Sequence, residues 1–427
     1  MASARDAFVI DVLAEDNYIY ALRDPQLVAM KLAKMQRSPY EWLRGTPSVF
    51  WRDLTSIGAD RPATAFGDPA SSRVLLVGDP HPENLGTFRA PDGTMFVDWN
   101  DFDSAGYGPY GGDVRRLASA VIVAGGDPSI GDEIARRVAG GYAGQIRELA
   151  AGQVPAPVGT GAAPYLDKTL AKALANGDAG KDLADYTAGD AFVFGDLDPV
   201  AADGVVENRL APPDAIERER VTRAMATELA HHPELGAIAD VARRYGSGVS
   251  SYPALRYYVL VSAHRIVELK EERDGLVVHG VPQLEAAEWS SPAQRALDTQ
   301  RRLQARPDGD ALLDVGELTP LALKIRDHAA YQRGVNADDL AAIVADPTKH
   351  DQIFELAEVF GRILGRAHGL AKTEDGVLGW TAIAPVLREG FDDEVARFAV
   401  ADAAQALADY ASLKDRDLAS FVLPVRE

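Results

Sequence analysis

Two short stretches carry side chains that could transfer a phosphoryl group. The first is Gly78-Asp79-Pro80-His81-Pro82-Glu83-Asn84 and the second is Val97-Asp98-Trp99-Asn100-Asp101. Phosphoryl transfer needs a carboxylate that orients a hydroxyl and accepts its proton. It also needs hard oxygen donors that hold Mg²⁺ against phosphates. Asp79 meets the first need; Asn84, five positions on, and Asp98, 14 beyond that, meet the second. Asp101 is a further candidate metal ligand, and with Asp103 it has the alternative reading of a solvated acidic turn. Aspartate and asparagine are common turn formers, so one alone would say little; the order and spacing carry the inference. His81 fits a loop-stabilising hydrogen bond better than a second base, because Asp79 already fills that role.

Short strands and tight loops must bring these groups together. Residues 74–77 are a continuous apolar run bounded by Gly78 and Pro80, which predicts a buried strand. A second run, 95–97, follows the turn Pro91-Asp92-Gly93 and ends in carboxylates. The two are expected to flank the polar loop as a hairpin-like unit that joins Asn84 to Asp98. The pattern turns helical at Asp113, which stands where it can cap a helix. Helix is also expected over most of the first 65 residues with a break near Pro39, over 127–149, over 165–240 with several breaks, and over 351–372 and 392–413. Arg256–Val261 and 265–269 alternate β-branched and aromatic residues and predict paired strands, with another at 321–325. Lys34, Arg37 and Arg44 form a basic cluster, either a solvated face paired with local acids or a clamp for an anion. His368 lies in an apolar helical stripe and reads as a hydrogen-bonded core histidine.

Composition narrows the function classes. The 44 basic and 64 acidic side chains leave a net charge of −20, which argues against a nucleic-acid partner or an anionic membrane surface. Cysteine is absent, which excludes disulfides, thiolate metal sites and a thiol nucleophile. No P-loop, no GxSxG elbow and no zinc-type spacing occurs. No apolar run of spanning length appears, and the N-terminal residues lack a signal-type apolar stretch, so a cytoplasmic location is expected.

The segment GDPHPEN resembles the catalytic loop of aminoglycoside- and choline-kinase-like phosphotransferases, and VDWND resembles their metal-binding segment. That resemblance implies Asp79 as base, Asn84 as a metal ligand, Asp98 as the main metal ligand, and Asp113 as a buried residue that ties down the loop. Further segments (KMQRSPYEWLRG, GDVRRLASA, RYYVLV, VELKE and GRILGRAHG among them) resemble a bacterial family with a domain of unknown function, numbered 2252 and grouped with kinase-like proteins. The kinase resemblance implies an α+β, two-lobed fold with ATP and Mg²⁺ as cofactors. Its nucleotide lobe would come after the catalytic loop, as in a circular permutation. Gly246, Ser247 and Gly248 would form the phosphate loop, helped by Ser250 and Ser251, and Lys270 would bind phosphates. Glu285, Glu288 and Asp298 are the candidate acidic partners of Lys270. The expected division is 1–240 and 336–427 for a helical lobe and 241–335 for a small β-rich lobe. The implied reaction moves the γ-phosphoryl group of ATP to a hydroxyl of a small molecule; the alternatives are nucleotidyl transfer and a non-catalytic nucleotide-binding protein.

Overall fold

Helix starts follow local capping chemistry. Ser3 and Asp6 form a reciprocal capping box at α1 (Ala4–Arg23). Asp24 ends α1 and accepts from the Leu27 amide at 3.1 Å to start α2 (Pro25–Met35), with Pro25 in a first-turn position where its missing N–H is no loss. Ser38 and Pro39 repeat that device at α3 (Pro39–Gly45), and α4 (Pro47–Thr55) follows. The expected break near Pro39 is present. This computed structural model describes residues 3–55, 64–67, 73–177, 179–195, 200–273, 289–310, 312–318, 321–328 and 331–424.

The expected hairpin-like unit is resolved into two antiparallel pairs. Of β1 (Arg73–Leu76), β2 (Leu85–Arg89), β3 (Met95–Trp99) and β4 (Gly106–Pro109), β1 pairs with β4 and β2 with β3. The run at 74–77 therefore does not partner the run at 95–97. The true partner of 95–97, Leu-Gly-Thr-Phe-Arg, carries no continuous apolar run and so gives a weak strand signal.

Helices α5 (Tyr110–Gly125) and α6 (Gly131–Ala150) follow, then α7 (Pro164–Asn176), α8 (Ala179–Tyr186) and a small hairpin of β5 (Thr187–Ala188) and β6 (Ala191–Phe192). Next come β7 (Arg209–Ala211), α9 (Ala215–His231), β8 (Ile238–Tyr245), β9 (Arg256–Val261), β10 (Arg265–Glu271), α10 (Pro292–Leu303), β11 (Asp314–Leu318) and β12 (Leu321–Asp327). The chain ends in α11 (Ala337–Val344), α12 (His350–Leu370), α13 (Gly379–Ile383), α14 (Phe391–Leu413) and α15 (Ala419–Val422). Strands β7 to β12 make one antiparallel sheet in the order β11-β12-β10-β9-β8-β7. It starts at Arg209, upstream of the expected boundary at 241, so residues 165–240 are not all helix. The charged residues Asp240, Arg243 and Arg244 obscure the β8 pattern, and each finds an ion-pair partner.

The sheet has one apolar face. Val241, Val259, Val267, Leu269, Leu323 and Ile325 pack there against Val221, Ala224 and Met225 of α9. Side chains alternate along a strand, so Tyr258, Glu268, Lys270, Lys324 and Arg326 take the opposite face. A larger core joins β1, β4, α5, α6, α12 and α14. The chain is thus a mixed α+β protein with a β-rich sheet portion and a larger helical portion. Among the described residues no helix is long and apolar enough to cross a membrane.

Candidate active site

A buried polar relay fixes the loop at 78–84. The Val77 and Gly78 amides donate to Asp113 Oδ2 at 2.8 and 3.2 Å, and Trp51 Nε1 donates to the Gly78 carbonyl at 2.7 Å. His368 Nε2 donates to the same Asp113 oxygen at 3.1 Å, while its Nδ1 accepts from the Tyr142 hydroxyl at 3.1 Å. Asp113 and His368 are fully buried, so each must have its partners inside the protein. Asp113 thus ties the loop down from the first turn of α5, and His368 is the satisfied core histidine the sequence suggests. Gly78 has φ +86°, and a Cβ there would overlap the Ser104 carbonyl, so the turn needs glycine.

The loop presents Asp79 and Asn84. Asp79 Oδ1 accepts from Arg116 Nε at 2.9 Å; among the described residues nothing donates to Oδ2. Burial pushes the Asp79 carboxyl above its ordinary value, against the Arg116 guanidinium. A short turn, Pro82–Asn84, sets Asn84, whose Nδ2 donates to the Asp79 carbonyl at 3.0 Å. His81 is kept neutral by burial and by Arg44 and Arg116, and its Nδ1 accepts from Tyr40 at 3.3 Å. The Tyr40 oxygen in turn accepts from the Glu83 amide. His81 therefore holds the loop. In the basic cluster, Lys34 pairs with Glu207, and Arg37 pairs with Asp203 and Glu207. Arg44 pairs with Glu83 at 2.7 Å and lines the cleft.

Asp98 departs from its expected place. Its Oδ1 accepts from the Trp99 amide at 2.9 Å and its Oδ2 from the Ala305 amide at 2.6 Å, with Arg366 at 3.7 Å. It does not line the cleft. Asp98 lies on β3 opposite Gly86, and that register turns it toward α12 and the end of α10. Asp101, just past the strand end, lines the cleft instead, with Asp103, Asp79, Asn84 and residues 248–251. Asp101 Oδ1 accepts from the Asp103 amide at 3.2 Å, and Arg295 of α10 donates to the Asp103 and Ala105 carbonyls. Sequence spacing ranked Asp98 above Asp101; strand register puts Asp101, and not Asp98, at the cleft.

Lys270 reaches this cluster from the sheet. It is 4% exposed; its Nζ pairs with Asp103 and lies 3.4 Å from Asp101 and 3.9 Å from Glu272. Burial disfavours the ammonium, but the three carboxylates outweigh it and hold its pKa above the ordinary lysine value. Its acidic partners are therefore Asp103, Asp101 and Glu272. Asp298 instead accepts from Gln294, and Glu285 and Glu288 lie outside the described residues.

The glycine turn differs in detail from a phosphate cradle. Gly246 has φ +78°, and a Cβ there would strike the Val206 carbonyl and Glu207 Cα. That glycine admits a crossing chain. Gly246 and Ser247 do not line the cleft, whereas Gly248, Val249, Ser250 and Ser251 do. Ser250 Oγ accepts from Arg273 at 2.8 Å, and Val249 and Ala254 are buried among the N-terminal helices.

Three adjoining spaces make up the site. The cleft at Asp79 has a volume of about 40 Å³. It shares Asp101 with a chamber of about 110 Å³ lined also by Asn100, Arg256, Lys270, Lys324, Arg326 and Gln332. That chamber shares Gln332 with a cavity of about 500 Å³, where Phe88, Ile266, His328 and Tyr331 are among the walls. Sequence reasoning missed Arg256, Lys324 and Arg326; their cross-strand alignment with Lys270 and Glu268 was the available signal. Among the described residues no three His, Cys, Asp or Glu side chains group as a metal site. The oxygen donors gathered here are the Asn84 amide with the Asp101 and Asp103 carboxylates, a hard set suited to Mg²⁺.

No curated protein and no solved structure matches the chain. A family model described as an uncharacterized protein conserved in bacteria, domain of unknown function 2252, matches residues 23–416, and the chain belongs to that family.

Proposed function

We propose that the protein is an ATP- and Mg²⁺-dependent phosphotransferase of a permuted kinase-like fold, acting in the cytoplasm on a hydroxyl of a small molecule. The observation that carries this reading is the meeting of Lys270, from the sheet, with Asp101 and Asp103, beside the Asp79–Asn84 loop. Asp79 Oδ2 would orient the acceptor hydroxyl and take its proton, while Arg116 holds the other carboxylate oxygen. The acceptor oxygen then bonds to the γ-phosphorus as the bond to the β–γ bridging oxygen breaks and ADP departs. Asn84, Asp101 and Asp103 would hold Mg²⁺, which neutralises phosphate charge when bound. Lys270 would turn from Asp103 toward the phosphates. The base would occupy the cavity of about 500 Å³, whose volume falls in the small-molecule range.

The test uses water as acceptor. Purified protein should hydrolyse ATP only with Mg²⁺; Asp79→Asn should lower kcat about 100-fold or more with little change in nucleotide affinity, and Asp101→Asn should abolish the Mg²⁺-stimulated hydrolysis. No ATP binding and no hydrolysis would overturn the proposal. The packed glycine turn and the engaged Ser250 favour a second reading, a nucleotide-binding protein without turnover. ATP-dependent thermal stabilisation without hydrolysis would select it.

A further inference from the structure

The sheet face above the cleft is unlike a surface made for a flat apolar ring. In register with Lys270 stand Arg256 on β9 and Lys324 on β12; in register with Glu268 stand Tyr258 and Arg326. Four cations therefore line one chamber, with Asp101 as the carboxylate among its lining residues. Asp101, Asp103, Glu268 and Glu272 lie within ion-pair distance of these cations, yet the lining itself is mostly cationic in a chain of net charge −20. Burial makes the grouping costly unless a counter-charge is present. Lys324 is 2% exposed, and among the described residues its Nζ makes no hydrogen bond; the nearest carboxylate, Glu272, is 3.6 Å away. Among the described residues neither Glu272 oxygen has a hydrogen-bond partner at bonding distance. Glu268 alone faces three guanidiniums, Arg244, Arg256 and Arg326. The chamber holds about 110 Å³, room for a few water-sized groups but below the span of a nucleoside pocket.

We infer that Arg256, Lys324 and Arg326 form with Lys270 a side-chain clamp for a chain of phosphates, standing in for the backbone cradle that the turn at 246–251 does not supply. Guanidinium and ammonium groups recognise phosphate oxygens by charge-assisted hydrogen bonds. The unmade hydrogen bonds of Lys324 are the ones a phosphate would complete. The ligand class is a polyphosphate ester or anhydride, recognised chiefly through its phosphates. The inference deepens the phosphotransferase reading by naming what is recognised on the donor, and it rests on that reading.

The experiment measures binding of ATP and of inorganic tripolyphosphate by calorimetry, in EDTA, so that no metal contributes. Tripolyphosphate should bind wild-type protein within about threefold of ATP and compete with it. Lys324→Met should weaken both ligands about tenfold, the effect of one lost charge-assisted hydrogen bond. Because Lys324→Met leaves Glu272 buried beside one cation fewer, the double variant Lys324→Met/Glu272→Gln provides a folded control, and it should show the same loss. ATP binding without tripolyphosphate binding, or unchanged affinities in the folded double variant, would overturn the clamp. Mg²⁺-dependent ATP hydrolysis can persist in that case, so failure of the clamp is distinct from failure of the phosphotransferase reading. Tripolyphosphate binding without any hydrolysis would keep the clamp and overturn the reaction.

Discussion

Asp98 and Asp101 stand three positions apart and do different work. Asp98 is 1% exposed and holds the Ala305 amide, with Arg366 close by. Asp98→Ala would leave the half-buried Arg366 guanidinium and Ala305 amide without their anion, a loss of about 1.5–3 kcal/mol of stability. Asp101→Asn, at the cleft, should leave the melting temperature nearly unchanged but abolish any Mg²⁺-induced shift. Thermal melts with and without Mg²⁺ check both; a Mg²⁺ response lost in a stably folded Asp98→Asn would return Asp98 to the metal site. Local chemistry made the 78–84 loop readable, because Asp79 and Asn84 are set by a tight turn and by Asp113. The choice between Asp98 and Asp101 depends on which way a strand residue points, and a one-residue change of register reverses that. Spacing along the chain does not encode it.

Elements with strong local signals were legible for the same reason. The helices that start at Pro25 and Pro39 and the β9–β10 hairpin lie where the pattern puts them, whereas α10, opened by Ser291 and Pro292, was not anticipated. Strand β2 is weakly apolar although it pairs with the next strand, and β7 is short and depends on a partner beyond the whole of α9. Helix α9 carries a further consequence of packing. Glu228 is 2% exposed where α9 meets β11, and burial, aided by Asp314, pushes its pKa up to about 7. The folded state therefore keeps a proton that the unfolded chain releases near 4.5. Its stabilising contribution is complete below that pH and is lost as pH rises through about 7. Glu228→Gln should flatten the melting-temperature profile between pH 4.5 and 7.5, a range that spans those two values. His232 stands 3.5 Å from Glu228, so His232→Asn is the control for that neighbour; an unaltered profile in Glu228→Gln would remove Glu228 as the source.

At the scale of the whole molecule, the site exists only where the sheet and the helical portion are held together, and one ion pair, partly exposed on its arginine side, joins them close to Lys270. Arg23, in the last turn of α1, donates to both Glu271 oxygens at 2.9 and 2.7 Å and to the Pro253 carbonyl at 3.1 Å. Glu271 follows Lys270 on β10 and also accepts from the Leu255 amide at 2.8 Å. One carboxylate therefore fixes the N-terminal helices, the end of β10 and the turn that closes over the cleft. A bidentate pair sets orientation as well as distance. Arg23→Met should cost about 1.5–3 kcal/mol, because Glu271 stays buried with fewer donors. It should also raise KM for ATP more than it lowers kcat, since Asp79 and Asp113 are anchored independently by α5. The pair Arg23→Met/Glu271→Gln removes the stranded charge and should recover stability without recovering KM. Steady-state kinetics beside thermal melts separate the two effects. A KM that returns to the wild-type value once stability is restored would mean that the pair holds the fold but does not set the cleft.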